Sequence, residues 1–488
     1  MRTSRLKSIL FPLLTIFIYV GFVVAIRFKP ITQSFELDYD EGLNLIKALL
    51  YSQGFSLYTQ IWNDQPPAFT FILSHYFSLF GQSILAARLL TLIFSAILIY
   101  CFYQIVRQNL GTIPAFIATL LLFTSWLFIR LSFSVMIGIP ALSLAMLSLY
   151  ILTLYKQKPR NIFIILSGIF LALSIQTKLF TVFLIPLIAF NLSDFLIRSQ
   201  SIKKQHQHLL YPLTLWLGTL SIIYLLIGWK FQQFFYHEQT FESHFNQPIE
   251  AELINFNNFA YLGEMIKQDY DYIFLAFIGI LAIIIKKQRD GIFPLTWLGT
   301  AILILLNHKP LWYHHYPLLA IPICWLAAYA VAWVLDSFAQ GWRYNLKPSN
   351  KNKSIFFSVV GVILIFLIIV TPPNPKGSPP KNLQLMQLVL ENKSSTRWLF
   401  TDRPIYGFYA NLSIPPEMAI MSYKRLNSGD LTFKQLLTIL QKYQPEQIVL
   451  ARWLSQIKSD NNIMAYINEN YTKTYTDKTG TAEHYLIK

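Results

Sequence analysis

Long apolar runs recur from the N-terminus to about residue 372, each bounded by charged or proline-bearing turns, and they predict helices that cross a membrane. Eleven such spans fall near 8–26, 85–106, 110–129, 133–155, 161–177, 179–197, 209–228, 272–285, 291–307, 316–336 and 354–372. Most approach the ~20 residues a helix needs to bridge ~30 Å of hydrocarbon, and all are too long for barrel strands. Arg2, Arg5 and Lys7 precede the first span as in a signal peptide. No small-residue cleavage site follows before Arg27, so the span reads as a retained anchor.

Between the first two spans the periodicity changes. Asp38 to Gly54 reads as an amphipathic helix lying on the membrane, with Leu43, Ile46, Leu49 and Leu50 on one face and Gly54 as terminator. After Trp62-Asn-Asp-Gln-Pro-Pro67, Ala68 to Phe80 forms a second short interfacial helix ending at Gly81. Beyond the last span, Thr371-Pro-Pro-Asn-Pro-Lys-Gly-Ser-Pro-Pro380 is a stiff linker, and a mixed polar and apolar tail follows. Trp398–Asp402 and Gln447–Ala451 read as buried strands with an amphipathic helix at Leu431–Tyr443 between them, a small α/β unit. The expected organisation is a polytopic α-helical membrane domain over 1–372 with its first outer loop at 27–84, a linker at 373–380, and an extracytoplasmic α/β domain over 381–488.

Composition agrees with this reading: 54% of the 488 residues are hydrophobic and 13% charged, outside the usual range of soluble domains. The charges sort by side. Lys and Arg gather in short loops around 107, 156–160, 198–204, 286–289 and 343–353, and acids gather in the longer loops, so the basic loops are cytoplasmic and the acidic ones extracytoplasmic. The net charge of +16 is thus a topology signal joined to contact with anionic lipid, and no motif points to nucleic acid. Cys101 and Cys324 fall within spans and read as packing residues.

The candidate chemistry begins with Asp40 and Glu41, in Glu36-Leu-Asp-Tyr-Asp-Glu-Gly42, just after the first span of an acid-poor chain. A carboxylate held at a membrane surface can accept a proton from a hydroxyl. Two readings stand: catalysis, or helix capping, because Asp38 with Glu41 three residues later matches a capping box and acids favour a first turn.

Asp40-Glu41-Gly42, then Gln65-Pro66-Pro67, Phe80-Gly81 and Ala87-Arg88-Leu89 together resemble the first luminal loop of the GT-C membrane glycosyltransferases, in particular the dolichyl-phosphate-mannose mannosyltransferase and aminoarabinose transferase-like proteins of bacteria. Gln176-Thr-Lys178-Leu and His308-Lys-Pro-Leu-Trp-Tyr-His-His315 extend the similarity over most of residues 30 to 325. The resemblance implies transfer of a sugar, with inversion, from a polyprenyl-phosphate carrier to a hydroxyl of a lipid, glycan or protein acceptor on the outer face of the bacterial inner membrane. It implies Asp40 as general base with Glu41 in support. Lys178, Arg88, Lys309 and Arg130 are candidates for the departing phosphate, whose growing negative charge calls for cations. For Lys178 the alternative is snorkelling, and for Arg88 a charge at a helix end. His308, His314 and His315 are candidates for lipid-phosphate or substrate contact, or amphipathic anchors beside Trp312 and Tyr313. No cofactor is certain, a divalent metal stays open, and the residue spacing makes no metal site compelling.

The chain departs from the family pattern twice. Gln65 stands where many relatives have Lys before Pro-Pro, and Gly138, in Val135-Met-Ile-Gly-Ile-Pro140, stands near the position of an acidic residue in the second outer loop. Asp64 is a substitute for that acid, and Asp64 and Gln65 are therefore counted with the substrate-binding candidates. Gly138 keeps a catalytically inactive lipid- or glycan-binding scaffold in view. A transporter or flippase is the other rival, although its usual internal repeat is not evident.

Overall fold

A computed structural model describes residues 2–198, 205–345 and 383–488. Ten of the eleven expected spans lie on helices there, and the span at 354–372 and the linker at 373–380 lie outside the described residues. Among the described residues seven helices are long and apolar enough to cross a membrane, and an eighth crossing arises if Asn258–Lys267 and Tyr270–Lys286, bent by 95°, count as one. The expectation of a full span at 110–129 is corrected: a 13-residue helix, Thr112–Thr124, is followed by the short helix Trp126–Leu131. The span at 161–177 is likewise shorter, Asn161–Ile175. The bundle core is mainly apolar, with Trp216, Trp297, Tyr103 and Phe128 among its fully buried rings and Cys101 and Cys324 packed as free thiols.

The first loop carries helices Tyr39–Ser52 and Ala68–Phe80, as the periodicity predicts. Gly54 and Gly81, at φ +97° and +82°, supply the left-handed residues that end them. The setting of the first differs from expectation. Residues 41–50 are all buried, so this helix is covered by protein rather than laid on lipid.

Part of its cover is the tail. Four strands, β1 (Leu399–Thr401), β2 (Gln447–Leu450), β3 (Tyr471–Thr476) and β4 (Glu483–Ile487), form one sheet in the order β1-β2-β4-β3, with β1 and β2 parallel and the other pairs antiparallel. Helix Phe433–Tyr443 lies between β1 and β2 in sequence, opened by a Thr432–Gln435 capping box. The tail has its own core around Phe400, Leu436, Ile448 and Ile467. A second apolar cluster joins it to the loop: Leu45, Ile46, Leu49, Phe69 and Leu73 pack with Ile405, Phe408, Leu412 and Ile414. Gly42 and Gly407 permit this approach. A Cβ on Gly42 would come within 3.2 Å of the Ile405 side chain, and one on Gly407 within 2.8 Å of Ile414.

Candidate functional site

Three neighbouring acids of the first loop take three different positions. Asp38 caps helix Tyr39–Ser52 by accepting from the Asp40 amide at 3.1 Å, and the Tyr313 hydroxyl also donates to it. Glu41 is fully buried and receives both arms of the equally buried Arg88, at 3.0 Å from Nε and 2.8 Å from Nη2. The Leu37 and Val135 amides donate to the same carboxylate, and Arg88 donates onward to the Ile31 and Ser34 carbonyls. Asp40 alone of the Asp40-Glu41 pair opens into a cavity of about 1510 Å³.

Helical periodicity explains the division. Asp40, Leu43, Asn44 and Lys47 all line the cavity, spaced as one face of a helix, while Glu41 is rotated ~100° away into the protein. The cavity is lined by the first loop, the segment around 233–256, the turn 307–315, the start of helix Gly138–Gln157, Lys178 and the tail. It exceeds the ~300–1,000 Å³ of usual small-ligand sites, enough for two substrate groups side by side.

Of the residues singled out from sequence, Asp40, Asp64, Gln65, Lys178, His308, Lys309, His314 and His315 converge on this cavity. Three do not. Glu41 and Arg88 satisfy one another in the interior, where the pair joins the loop to helix Ile84–Leu110, and neither lines the cavity. Arg130 sits behind Tyr313, 4.3 Å over its ring and 3.8 Å from Asp38, and does not line the cavity.

Sequence reasoning missed Lys47, His244, Lys424 and Arg452, which do line it. Lys47 had a signal: a lone cation seven residues after Asp40 falls on the same face. Lys424 and Arg452 had none, because they arrive from the tail nearly four hundred residues later.

Electrostatics set the cavity's character. Burial, then Asp38 and Asp64, push Asp40 up to about 7, against Lys178 and Arg452, which favour its charged form. Its side chain is still 41% exposed, but the opening is into the cavity. Burial brings Lys178 down to about 8, opposed by Asp40 and Asp64. Asp64 is desolvated too, yet Lys424, His244, Lys47 and the Ser243 hydroxyl, 3.0 Å away, outweigh that and lower it.

Burial holds His314 and His315 well below the ordinary imidazole range, and His308 falls to about 3. The 3.8 Å approach of His314 to Asp40 is therefore contact with a neutral ring rather than an ion pair. Lys309 donates to the Phe256 carbonyl at 2.6 Å, with two protons left for another acceptor. Among the described residues no group of three or more His, Cys, Asp or Glu is arranged to hold a metal ion.

Gly138 lies in this wall. A Cβ there would stand 3.6 Å from the His314 carbonyl and 4.0 Å from the Lys178 ammonium, so a side chain at this place would meet Lys178 directly.

A polytopic helical bundle whose first loop and tail line one cavity is also the fold of the membrane glycosyltransferase-like proteins compared below, and the resemblance read from the loop motifs is borne out at the level of fold. The family described as dolichyl-phosphate-mannose-protein mannosyltransferase matches residues 64–224. ArnT from Cupriavidus metallidurans, solved bound to undecaprenyl phosphate, superposes with a TM-score of 0.65 at 12% identity, covering 96% of this chain and 97% of that one. The oligosaccharyltransferase AglB from Archaeoglobus fulgidus, solved with an inhibitory peptide and a dolichol-phosphate, gives a TM-score of 0.56 at 12% identity, covering 97% of this chain and 74% of that one. No curated protein matches the chain.

Proposed function

We propose that the protein is an integral membrane glycosyltransferase that moves a sugar from a polyprenyl-phosphate carrier to an acceptor hydroxyl on the extracytoplasmic face, with the N-terminus cytoplasmic. The observation that carries the proposal is the cavity lining: a carboxylate poised near neutrality, Asp40, with Lys178 as a cation that favours its charged form. The fold likeness to proteins solved with undecaprenyl phosphate and dolichol-phosphate supports a lipid-phosphate donor.

The acceptor hydroxyl gives its proton to Asp40 as its oxygen attacks the anomeric carbon from the face opposite the phosphate. The bond from that carbon to the phosphate oxygen breaks, the phosphate keeps the electron pair, and the sugar is inverted. Lys178 and Lys309 stabilise the charge that grows on the leaving phosphate. Neutral His308, His314 and His315 offer hydrogen bonds to sugar or phosphate without adding charge. Asp64 and Gln65 contact substrate, with Asp64 kept ionised by Lys47 and Lys424 and so suited to binding hydroxyls rather than taking their protons.

The test is sugar transfer by purified protein supplied with polyprenyl-phosphate sugar. Asp40→Asn is expected to lower kcat by about 10²–10⁴-fold while donor-lipid binding persists. Transfer at the wild-type rate by Asp40→Asn rejects Asp40 as base. Gly138 favours a second reading, a binding scaffold without turnover, and it would be supported by donor binding with no transfer in wild-type protein.

A further inference from the structure

The tail reaches the loop at one aromatic residue next to Asp40. The Tyr39 ring lies beneath the Arg452 guanidinium, with Cζ 3.2 Å from its centroid, and Trp453 flanks the same guanidinium at 4.9 Å. The Tyr39 hydroxyl donates to the Met421 carbonyl at 3.0 Å and lies 3.4 Å from that of Asp402. Asp402 is fully buried at the end of β1, and its carboxylate accepts from the amides of Ala451, Arg452 and Trp453 at 2.8, 2.9 and 2.6 Å. One tail residue therefore holds the backbone that carries Arg452 and meets the ring on which Arg452 stacks. Arg452 has no carboxylate within 4 Å among the described residues, so its position is set by stacking and by its backbone.

Further anchors run the same way. Arg403 pairs with Glu36 at 2.8 Å, Tyr409 donates to the Phe35 carbonyl at 2.9 Å, and the Phe35 and Tyr409 rings stack at 4.7 Å. Residues 35–42, which include Asp40, are thus seated on residues 402–409 and 452 of the tail.

We infer that Arg452 is a positioning residue for sugar transfer: held by Asp402 and stacked on Tyr39, it fixes the first turn of helix Tyr39–Ser52 and keeps the Asp40 carboxylate turned into the cavity. The tail is then a part of the transfer site. This rests on Asp40 acting as the base. The charged and titratable groups that bear on Asp40 are Asp38, Tyr39 and Lys47 of its own segment, Asp64, Lys178, Tyr313 and His314 of the membrane domain, and Arg452 and Lys424 of the tail. Arg452 and Lys178 both favour its ionised form, so loss of the Arg452 charge moves the acid limb of activity to higher pH.

The experiment compares full-length wild type, Arg452→Gln and Arg452→Lys, with Lys434→Gln as an exposed tail control, by hydrogen exchange of residues 35–44 and by the pH profile of transfer. Arg452→Gln is expected to raise exchange at 35–44, lower kcat about tenfold, leave donor-lipid binding within about twofold, and move the acid limb upward. Arg452→Lys, which keeps the charge and loses the planar stack, is expected to restore the limb and not the exchange protection. Unchanged exchange in Arg452→Gln overturns the inference, as does an unmoved acid limb. Absence of transfer in wild type would overturn the transferase reading alone, and the exchange comparison would still decide whether Arg452 seats the loop.

Discussion

Asp40 and Lys178 line the same cavity, and their environments push both toward neutrality from opposite ends of the scale. A base must be deprotonated and a phosphate-binding amine protonated. Transfer should rise with pH through about 7 as Asp40 ionises and fall above about 8 as Lys178 loses its proton, giving a narrow bell in kcat/KM. Measuring kcat/KM from pH 5 to 10 checks this, and a flat profile would remove Asp40 as the titrating base. Gly138 provides a second probe. Gly138→Asp places a carboxylate beside Lys178 with ordinary contacts for its Cβ, so it is expected to move the alkaline limb upward and weaken donor-lipid binding several-fold, read by titration of donor lipid. At this scale the sequence was informative about which acids matter and silent about their division of labour. Asp40 and Glu41 are adjacent in the chain, and only the direction each points from the helix assigns one to the cavity and the other to Arg88.

Helix Tyr39–Ser52 is the element on which the site is built, and protein packs against it on every side but the one that faces the cavity. Glu41 and Arg88 lock its first turn to helix Ile84–Leu110, so Glu41→Gln leaves a guanidinium buried without a counter-charge and is expected to cost about 3–5 kcal/mol. Thermal unfolding of purified protein measures it. The start, stop and apolar face of this helix were legible from Asp38, Gly54 and Leu43–Leu50. Its burial was not, because an amphipathic period is the same whether the apolar face meets lipid or another part of the protein. The shortfall of the expected span at 110–129 has a similar origin. An unbroken apolar run does not reveal the break near Ser125, whose hydroxyl donates to Asp269 across the bundle at 2.6 Å.

Across the whole molecule, the loop and the tail share one apolar core although more than three hundred residues separate them in the chain. Periodicity and turn signals report local structure, so β1, β2 and the helix Phe433–Tyr443 could be read, whereas the docking of the tail on the loop could not. The orientation proposed for the chain is open to direct measurement. Lys434 in the tail and Lys158 in a basic loop are both exposed, and Cys101 and Cys324 are buried and give little background. A membrane-impermeant thiol reagent should label Lys434→Cys in cells with a permeable outer envelope and label Lys158→Cys only after the membrane that holds the protein is opened. The reverse pattern would invert the topology.

Surface loops ordinarily absorb insertions and deletions without loss. The face of helix Tyr39–Ser52 that carries Asp40 and Lys47 leaves no such freedom to this one. Adding a single residue between Asp40 and Glu41 would turn everything before it by about 100° relative to the helix that follows. Either the cavity would lose its carboxylate or Arg88 its partner. Variation in this stretch should therefore take the form of substitution at constant length, and a chain of this fold with a length change here should be examined for a changed chemistry before it is credited with the same one.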